Sequence, residues 1–362
     1  MSDATHRRRP HQLRRGRPRS STAGSRAAIR ARRARRAALL LAALALAGCG
    51  RQSIVSPRSP ETHDIQVLWW WMLGIGGVVF FGAVAMLVMA WFRRHEPGLP
   101  YFGTREAIPQ ALVLVFGIGI PAVVLIALFG VADVYLVSQT SAPNPKTTRL
   151  TIDVIGHQWW WQVEYPGTAA VTANEIHIPV DTRVNVVATT ADVIHSFWVP
   201  QLARKIDEVP GRQNRILLYA DRPGSYRGQC AEFCGLQHAH MALYVIAQPM
   251  PAFRAWLATM SSDAHTPTTP AAVAGEHLFM ADQCASCHTI RGTQASYATI
   301  GPDLTHLATR SSLAGAEIPN TPSYLERWIL NPQAIKPGDR MPDLGLTRTQ
   351  AAEIVAYLDS LH

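Results

Sequence analysis

Long unbroken apolar stretches give way along the chain to segments whose apolar positions recur every second residue, and these changeovers mark its parts. From Val67 to Phe92 nearly every residue is apolar, long enough to cross a hydrocarbon layer of roughly 30 Å as a helix. Trp69, Trp70 and Trp71 at one end, and Trp91 and Phe92 at the other, form interfacial belts. A second run, Ala111 to Val137, is also long enough to span and contains Gly117, Gly119 and Pro121. Arg93, Arg94, His95 and Arg105 lie between the runs, while Asp133 sits near the far end of the second. The positive-inside rule therefore puts the loop 93–110 in the cytoplasm and everything after about 138 outside, so 66–137 is expected as a two-helix transmembrane hairpin.

Residues 50–65 are polar, with Pro57 and Pro60, and read as an exported tether; 138–149 is a linker. From Leu150 the period falls to two, in Leu150–Val154, Glu175–Pro179, Arg183–Val187 and Met241–Ile246, with Gly and Pro between the runs. Such short strands predict an all-β antiparallel sandwich or barrel over 150–248. Residues 249–272 read as a second linker with a short helical patch. The remainder, 273–362, is expected as a small all-α domain. Its last helix, Thr349–Leu361, sets Ile354, Tyr357, Leu358 and Leu361 on one face.

Charge changes the picture only at the beginning. The net charge is +9, but the segment before residue 37 holds thirteen Arg and one Asp, so the remainder is mildly acidic and nucleic-acid binding is a poor inference. The basic block precedes the short apolar run 37–49, the layout of a signal peptide over residues 1–49. Leu46-Ala-Gly-Cys49 looks like a bacterial lipobox, which would make Cys49 a lipidated first residue of the mature chain.

Four of the five cysteines fall in two motifs. Cys230-Ala-Glu-Phe-Cys234-Gly-Leu-Gln-His238-Ala-His-Met241 gathers two thiols, an imidazole and a thioether, and His195 lies upstream in Asp192-Val-Ile-His195. This soft donor set selects copper, or zinc as the commoner alternative. Structural zinc takes four ligands and has no use for a thioether, so Met241 favours copper. The second motif, Cys284-Ala-Ser-Cys287-His288, is the attachment signature of c-type haem, with His288 as the proximal ligand. Met341, in Lys336-Pro-Gly-Asp-Arg-Met341-Pro, is the expected distal ligand and His306 the weaker competitor; Met280 is too close to the attachment motif to reach the other haem face.

Residues 230–241 with His195 resemble the binuclear copper (CuA) site of cytochrome c oxidase subunit II, and the chain over roughly 60–362 resembles subunit II of a caa-type haem–copper oxidase with a C-terminal fused cytochrome c. The resemblance implies a cupredoxin-like Greek-key domain and a class I cytochrome c domain. It implies that Cys230 and Cys234 bridge two coppers, that His195 and His238 each cap one, and that Met241 and the Glu232 backbone carbonyl are weak axial ligands. It makes Trp159, in Gly156-His-Gln-Trp159-Trp160-Trp161, the point where electrons cross into the copper domain, and lets the Glu232 side chain share a magnesium ion with subunit I. Gly301-Pro302-Asp303 fits the proline loop lying against the haem, and Lys205–Arg212 a structural, subunit-facing loop.

The implied function is electron input to a respiratory terminal oxidase. Electrons would run from an external donor (cytochrome c or a bc-type complex) through haem c and CuA to subunit I, where oxygen is reduced to water and protons are translocated. The location is the bacterial inner membrane, multi-pass, with both soluble domains outside and membrane lipid among the partners. Glu106 is the only candidate for the family's proton-uptake carboxylate, and its spacing departs from the family pattern, so it reads as a solvated charge. The competing reading is a membrane-tethered copper and cytochrome carrier outside any oxidase. Purification distinguishes the two, because an oxidase subunit comes out bound to a larger haem-bearing membrane subunit.

Overall fold

The computed structural model describes residues 32–33, 35–39, 52–93, 107–131, 134, 143, 147–281 and 283–362. Cys49, Glu106, the loop 94–106 and most of the linker 138–149 lie outside the described residues. Residues 1–50 form one compact unit, helical at its described positions 32–33 and 35–39, and residues 51–362 form the other.

Helix α1, Pro60–Arg93, is long and apolar enough to cross a membrane. Pro60 occupies its first position, and Ser59 caps it by accepting the Thr62 N–H at 3.2 Å. Its start is tied to the β-domain: the Arg58 N–H donates to the Gln201 carbonyl (2.8 Å) and the Thr62 hydroxyl to the same oxygen (2.9 Å). Val78, Phe80, Phe81 and Leu87 are exposed along it, a face that water does not suit.

The second run differs from the expected full-length partner. It is helical as α2 (Ala107–Leu114), a π segment (Val115–Gly119) and α3 (Ile120–Val131), and its apolar helix covers only Val115–Val131. At the junction the Ile120 N–H reaches back to the Val115 carbonyl, one residue beyond the α register. Pro121 follows at once and has no N–H to give the ladder. Among the described residues one helix, not two, therefore meets the length for a span.

Ten strands form the next domain: β1 Leu150–His157, β2 Trp160–Glu164, β3 Val171–Ala173, β4 Glu175–Pro179, β5 Val184–Thr190, β6 His195–Trp198, β7 Ile206–Glu208, β8 Asn214–Leu218, β9 Gly224–Cys230 and β10 Ala242–Gln248. They make two five-stranded sheets, ordered β3-β2-β1-β5-β8 and β4-β10-β9-β6-β7. The sheets are mixed rather than purely antiparallel, because β1 pairs with β5 and β4 with β10 in parallel. The chain leaves each sheet for the other and returns beside an earlier strand in the same direction, which a hairpin meander cannot do. Alternate positions of β1 point inward, placing Ile152 and Val154 in the core with Trp161, Phe197 and Tyr165.

Helix α4, Met250–Met260, lies in the stretch expected as linker, yet Phe253 and Met260 join the β-domain core and Trp256 stacks on His177 (4.0 Å between ring centres). Burial of that aromatic face holds α4 on the sandwich.

The C-terminal domain contains α5 Pro270–Ala281, the short α6 Cys284–Cys287, a ribbon of β11 (Ser312–Leu313) and β12 (Ile318–Pro319), α7 Pro322–Leu330 and α8 Arg348–Asp359. Helix α8 opens with a reciprocal Thr347/Gln350 capping box. It crosses α5 where Gly275 meets the Glu353 backbone, and Phe279 packs edge-on against Tyr357 at 5.9 Å. Glu175 of β4 reaches this domain, accepting the Ser311 N–H at 2.7 Å and bonding its hydroxyl.

Two outcomes follow from this packing. A Cβ at Gly275 would stand 1.9 Å from the Glu353 carbonyl oxygen, so we expect Gly275→Ala to destabilise the C-terminal domain by about 1–3 kcal/mol, read as a lower unfolding midpoint with the β-domain transition unmoved. Burial opposes the Glu175 charge, but hydrogen bonds from His177 and Ser311 outweigh it and hold this carboxyl below the usual range. A lowered folded-state pKa stabilises at every pH above the ordinary carboxylate value and is lost as pH falls through the lowered one. Acid titration should therefore weaken the interdomain contact of the wild type, while that of Glu175→Gln, already weaker at neutral pH, no longer responds to acid in that window.

Candidate metal and haem centres

Strands β9 and β10 fix the first site. Cys230 is the last residue of β9, Met241 directly precedes β10, and the Cys230 N–H donates to the Met241 carbonyl at 2.9 Å, so the pair closes the neck of the loop 231–240. His195 is the first residue of strand β6, which pairs with β9 through Phe197 and Cys230. Gly235, at φ +113°, turns the loop where a Cβ would press on the Trp159 ring at 3.1 Å.

The donor atoms converge in a buried pocket. Cys230 Sγ lies 3.8 Å from Cys234 Sγ, 3.9 Å from His195 Nδ1 and 3.1 Å from the Glu232 carbonyl oxygen. Cys234 Sγ lies 3.7 Å from His238 Nδ1 and 3.8 Å from Met241 Sδ. His195, Cys230 and Cys234 offer ligand atoms all within 4.8 Å of one another. Asp192 accepts from His195 Nε2 at 2.9 Å, which leaves Nδ1 with its lone pair toward the sulfurs. Competition for a proton with the neighbouring Cys234 sulfur, aided by His195, holds the Cys230 thiol well below the ordinary thiol range and pushes Cys234 up. Two sulfurs that close, with imidazoles on either flank and a thioether behind, fit a soft binuclear metal centre.

A second centre lies in the C-terminal domain, as a cavity of about 240 Å³ lined by Phe279, Cys284, Cys287, His288, Leu304 and Met341 among others. His288 Nδ1 donates to the Pro302 carbonyl at 2.8 Å, which leaves Nε2 as the nitrogen for iron. Gly301 lies flat against that ring, with 2.6 Å between a built Cβ and Cε1. Arg310 also lines the cavity; it is buried, and its Nε has no partner among the described residues. An apolar slot with two thiols, an imidazole, a thioether and a buried guanidinium, whose other end donates to the Asp303 carbonyl, fits a haem and its carboxylates. His306 does not line this cavity: its ring nitrogens meet the His362 and Ser262 carbonyls at 2.8 and 3.0 Å.

Both halves match known families. Residues 168–248 fit the family model described as cytochrome C oxidase subunit II, periplasmic domain, and residues 272–362 fit that of cytochrome c. Cytochrome c oxidase subunit 2 of Alkalihalophilus pseudofirmus is 32% identical over 329 residues, covering 88% of this chain and 94% of the relative. The chain belongs to the cytochrome c oxidase subunit 2 family. Subunit 2 of Bacillus subtilis is 29% identical over 350 residues, covering 89% of this chain and 96% of its own. A crystal structure of the periplasmic domain of subunit II from Bradyrhizobium japonicum shares 32% identity, covering 33% of this chain and 96% of that one, at a TM-score of 0.31.

The aromatic triplet of this subunit 2 chain divides its roles. Trp161 is fully buried in the core behind His195, whereas Trp160 stacks on His157 and lines the cavity beside His288. Trp159 lines the same cavity, and its Nε1 donates to the Cys234 carbonyl at 3.0 Å. The Glu232 side chain is exposed on the copper loop.

Sequence reasoning missed Asp192 as the anchor of His195, though its place three residues upstream was the available signal. It also missed Glu208, which pairs with His195 across β6–β7. This carboxyl is fully buried, neither oxygen has a partner among the described residues, and burial followed by the nearby Cys230 raises its pKa well above the usual range. Glu208 sits in the motif 205–212, and only its pairing partner reveals its place. For Asp192→Ala we expect a 10- to 100-fold loss of copper affinity, of the order seen when a ligand's orienting partner is removed. Chelator competition on the purified subunit measures this, with the haem band as internal control.

Proposed function

We propose that this membrane-bound subunit feeds electrons into a respiratory terminal oxidase by a route from the C-terminal domain, past Trp159, to the copper loop. Membership of the subunit 2 family makes it a part of such an oxidase; oxygen reduction belongs to the partner subunit I. The observation that carries the route is the position of Trp159. It borders the cavity lined by Cys284, Cys287 and His288 on one side and donates to the Cys234 carbonyl on the other, so one side chain joins the two sites.

Cys230, Cys234, His195, His238, Met241 and the Glu232 carbonyl would together hold the copper centre, two coppers in this reading, and its chemistry would be one-electron transfer. Cys284 and Cys287 would carry the haem, with His288 and Met341 on its iron. When bound, both groups exchange single electrons. What the protein supplies is rigidity: the closed β9–β10 neck, the Asp192 anchor and the Pro302 carbonyl hold the ligands where neither redox state needs them to move. Trp159 is almost wholly buried, so an external donor meets the cytochrome domain rather than this ring.

The residues 107–131 would make a second membrane pass, supported by continuous helix through the π segment and by apolar composition. With it, both soluble domains face outward and the chain is multi-pass in the bacterial inner membrane. Lipidation of Cys49, a magnesium ion at Glu232 shared with subunit I, and cytochrome c or a bc-type complex as donor complete the reading.

Two substitutions test the assignments in the detergent-purified complex. Cys230→Ser should abolish the copper absorption and leave the c-type haem spectrum intact; loss of both together overturns separate centres. Met341→Ala should turn a low-spin haem into a high-spin or misligated one, and an unchanged spectrum would assign the distal ligand elsewhere.

A further inference from the structure

The stretch from Lys336 to Met341 touches the copper domain at almost every residue. Lys336 Nζ donates to the Trp159 carbonyl at 3.0 Å, and the Pro337 carbonyl accepts from Gln237 Nε2 at 2.6 Å. Gly338 faces Leu236, with 2.8 Å between a built Cβ and Cδ1. The Arg340 guanidinium donates to Gln158 Oε1 and lies 3.8 Å from Asp192. The same loop is fastened to its own domain: Gln333 Nε2 donates to the Asp339 and Met341 carbonyls at 2.8 and 3.0 Å, and Asp339 accepts the Met341 N–H at 3.0 Å.

We propose that residues 336–341 form an interdomain latch in which the loop delivering Met341 also clamps the cytochrome domain on the copper loop, with Lys336 as its positioning residue. The inference rests on the reading of Met341 as haem ligand and extends it to the control of docking. Lys336 is 1% exposed, and its partners are the Trp159 carbonyl and, at 3.6 Å, the Asp339 carboxylate. Desolvating an ammonium is costly and is offset only where both acceptors stand in reach, so the charge selects one docked orientation rather than adding general adhesion. That orientation sets Trp159 against the cavity. Because one loop carries both the ligand and the grip, loosening the grip makes Met341 easier to displace under denaturing stress, and losing the ligand loosens the docked domain.

The test uses the detergent-purified oxidase complex carrying Lys336→Met, which keeps the volume and removes the donor, or Gln237→Ala, which cuts the grip from the copper side far from the haem ligands. Hydrogen exchange over 156–160 and 333–343 should quicken about tenfold in Lys336→Met, and electron transfer from haem c to copper after flash reduction should slow with both absorption spectra unchanged. The Met–iron charge-transfer signature should vanish at a lower guanidinium concentration in Gln237→Ala than in the wild type. Unchanged exchange and unchanged transfer rate overturn the latch. A wild type without the Met–iron signature overturns the ligand reading instead, and the exchange comparison then still decides the clamp. Should Lys336→Met fail to fold, Gln237→Ala carries the same exchange measurement.

Discussion

Two sulfurs held 3.8 Å apart inside a folded domain are an awkward neighbourhood, and the structure around them answers to that constraint. Once Cys230 has ionised, Cys234 cannot follow beside it without a compensating positive charge, so the pair asks for a cation. Everything that defines their separation is backbone: the last residue of β9, the first turn beyond it, and the hydrogen bond from Cys230 to Met241 across the loop neck. The β-sandwich is in this sense a jig. Its core of Ile152, Val154, Trp161 and Phe197 lies behind His195, so movement of the ligands would have to move close-packed side chains.

How much of this was legible in the sequence follows from the range of the signals. The two cysteine motifs were readable because their donors cluster within a few residues, and the first span because a membrane demands a long apolar run. Strands at Leu150–Val154 and Glu175–Pro179 were readable from their alternation. The parallel pairings of β1 with β5 and of β4 with β10 were not, since alternation reports which face is buried and is silent on which strand lies alongside. The docking of helix α4 was hidden by a different effect: a Pro-bracketed helical patch reads as part of a linker until Trp256 finds His177 in β4, far away in sequence. Pro121 and its glycines were visible, but the shift to π register at Val115–Gly119 depends on backbone accommodation that composition does not encode.

The contacts between the two soluble domains were the least legible part. Lys336 and Glu175 look like ordinary surface charges along the chain, yet both are buried and each bonds a residue of the other domain. Lys336 is almost wholly enclosed and Glu175 nearly so. A flexible tether would raise the encounter rate of the domains, with an effective concentration of order mM; direct hydrogen bonds go further by fixing the encounter geometry.

Helix α4 carries one more consequence. Because it belongs to the sandwich, the stretch left to join the domains runs only from Ser261 to the start of α5 at Pro270. Arg291 donates to the Met260 and Ser262 carbonyls, and the Ala264 N–H to the Arg291 carbonyl, so even this stretch is stitched down. Fully extended it could reach about 30 Å, too little to roam across a membrane surface. Each copy therefore keeps its C-terminal domain beside its own copper-domain loop.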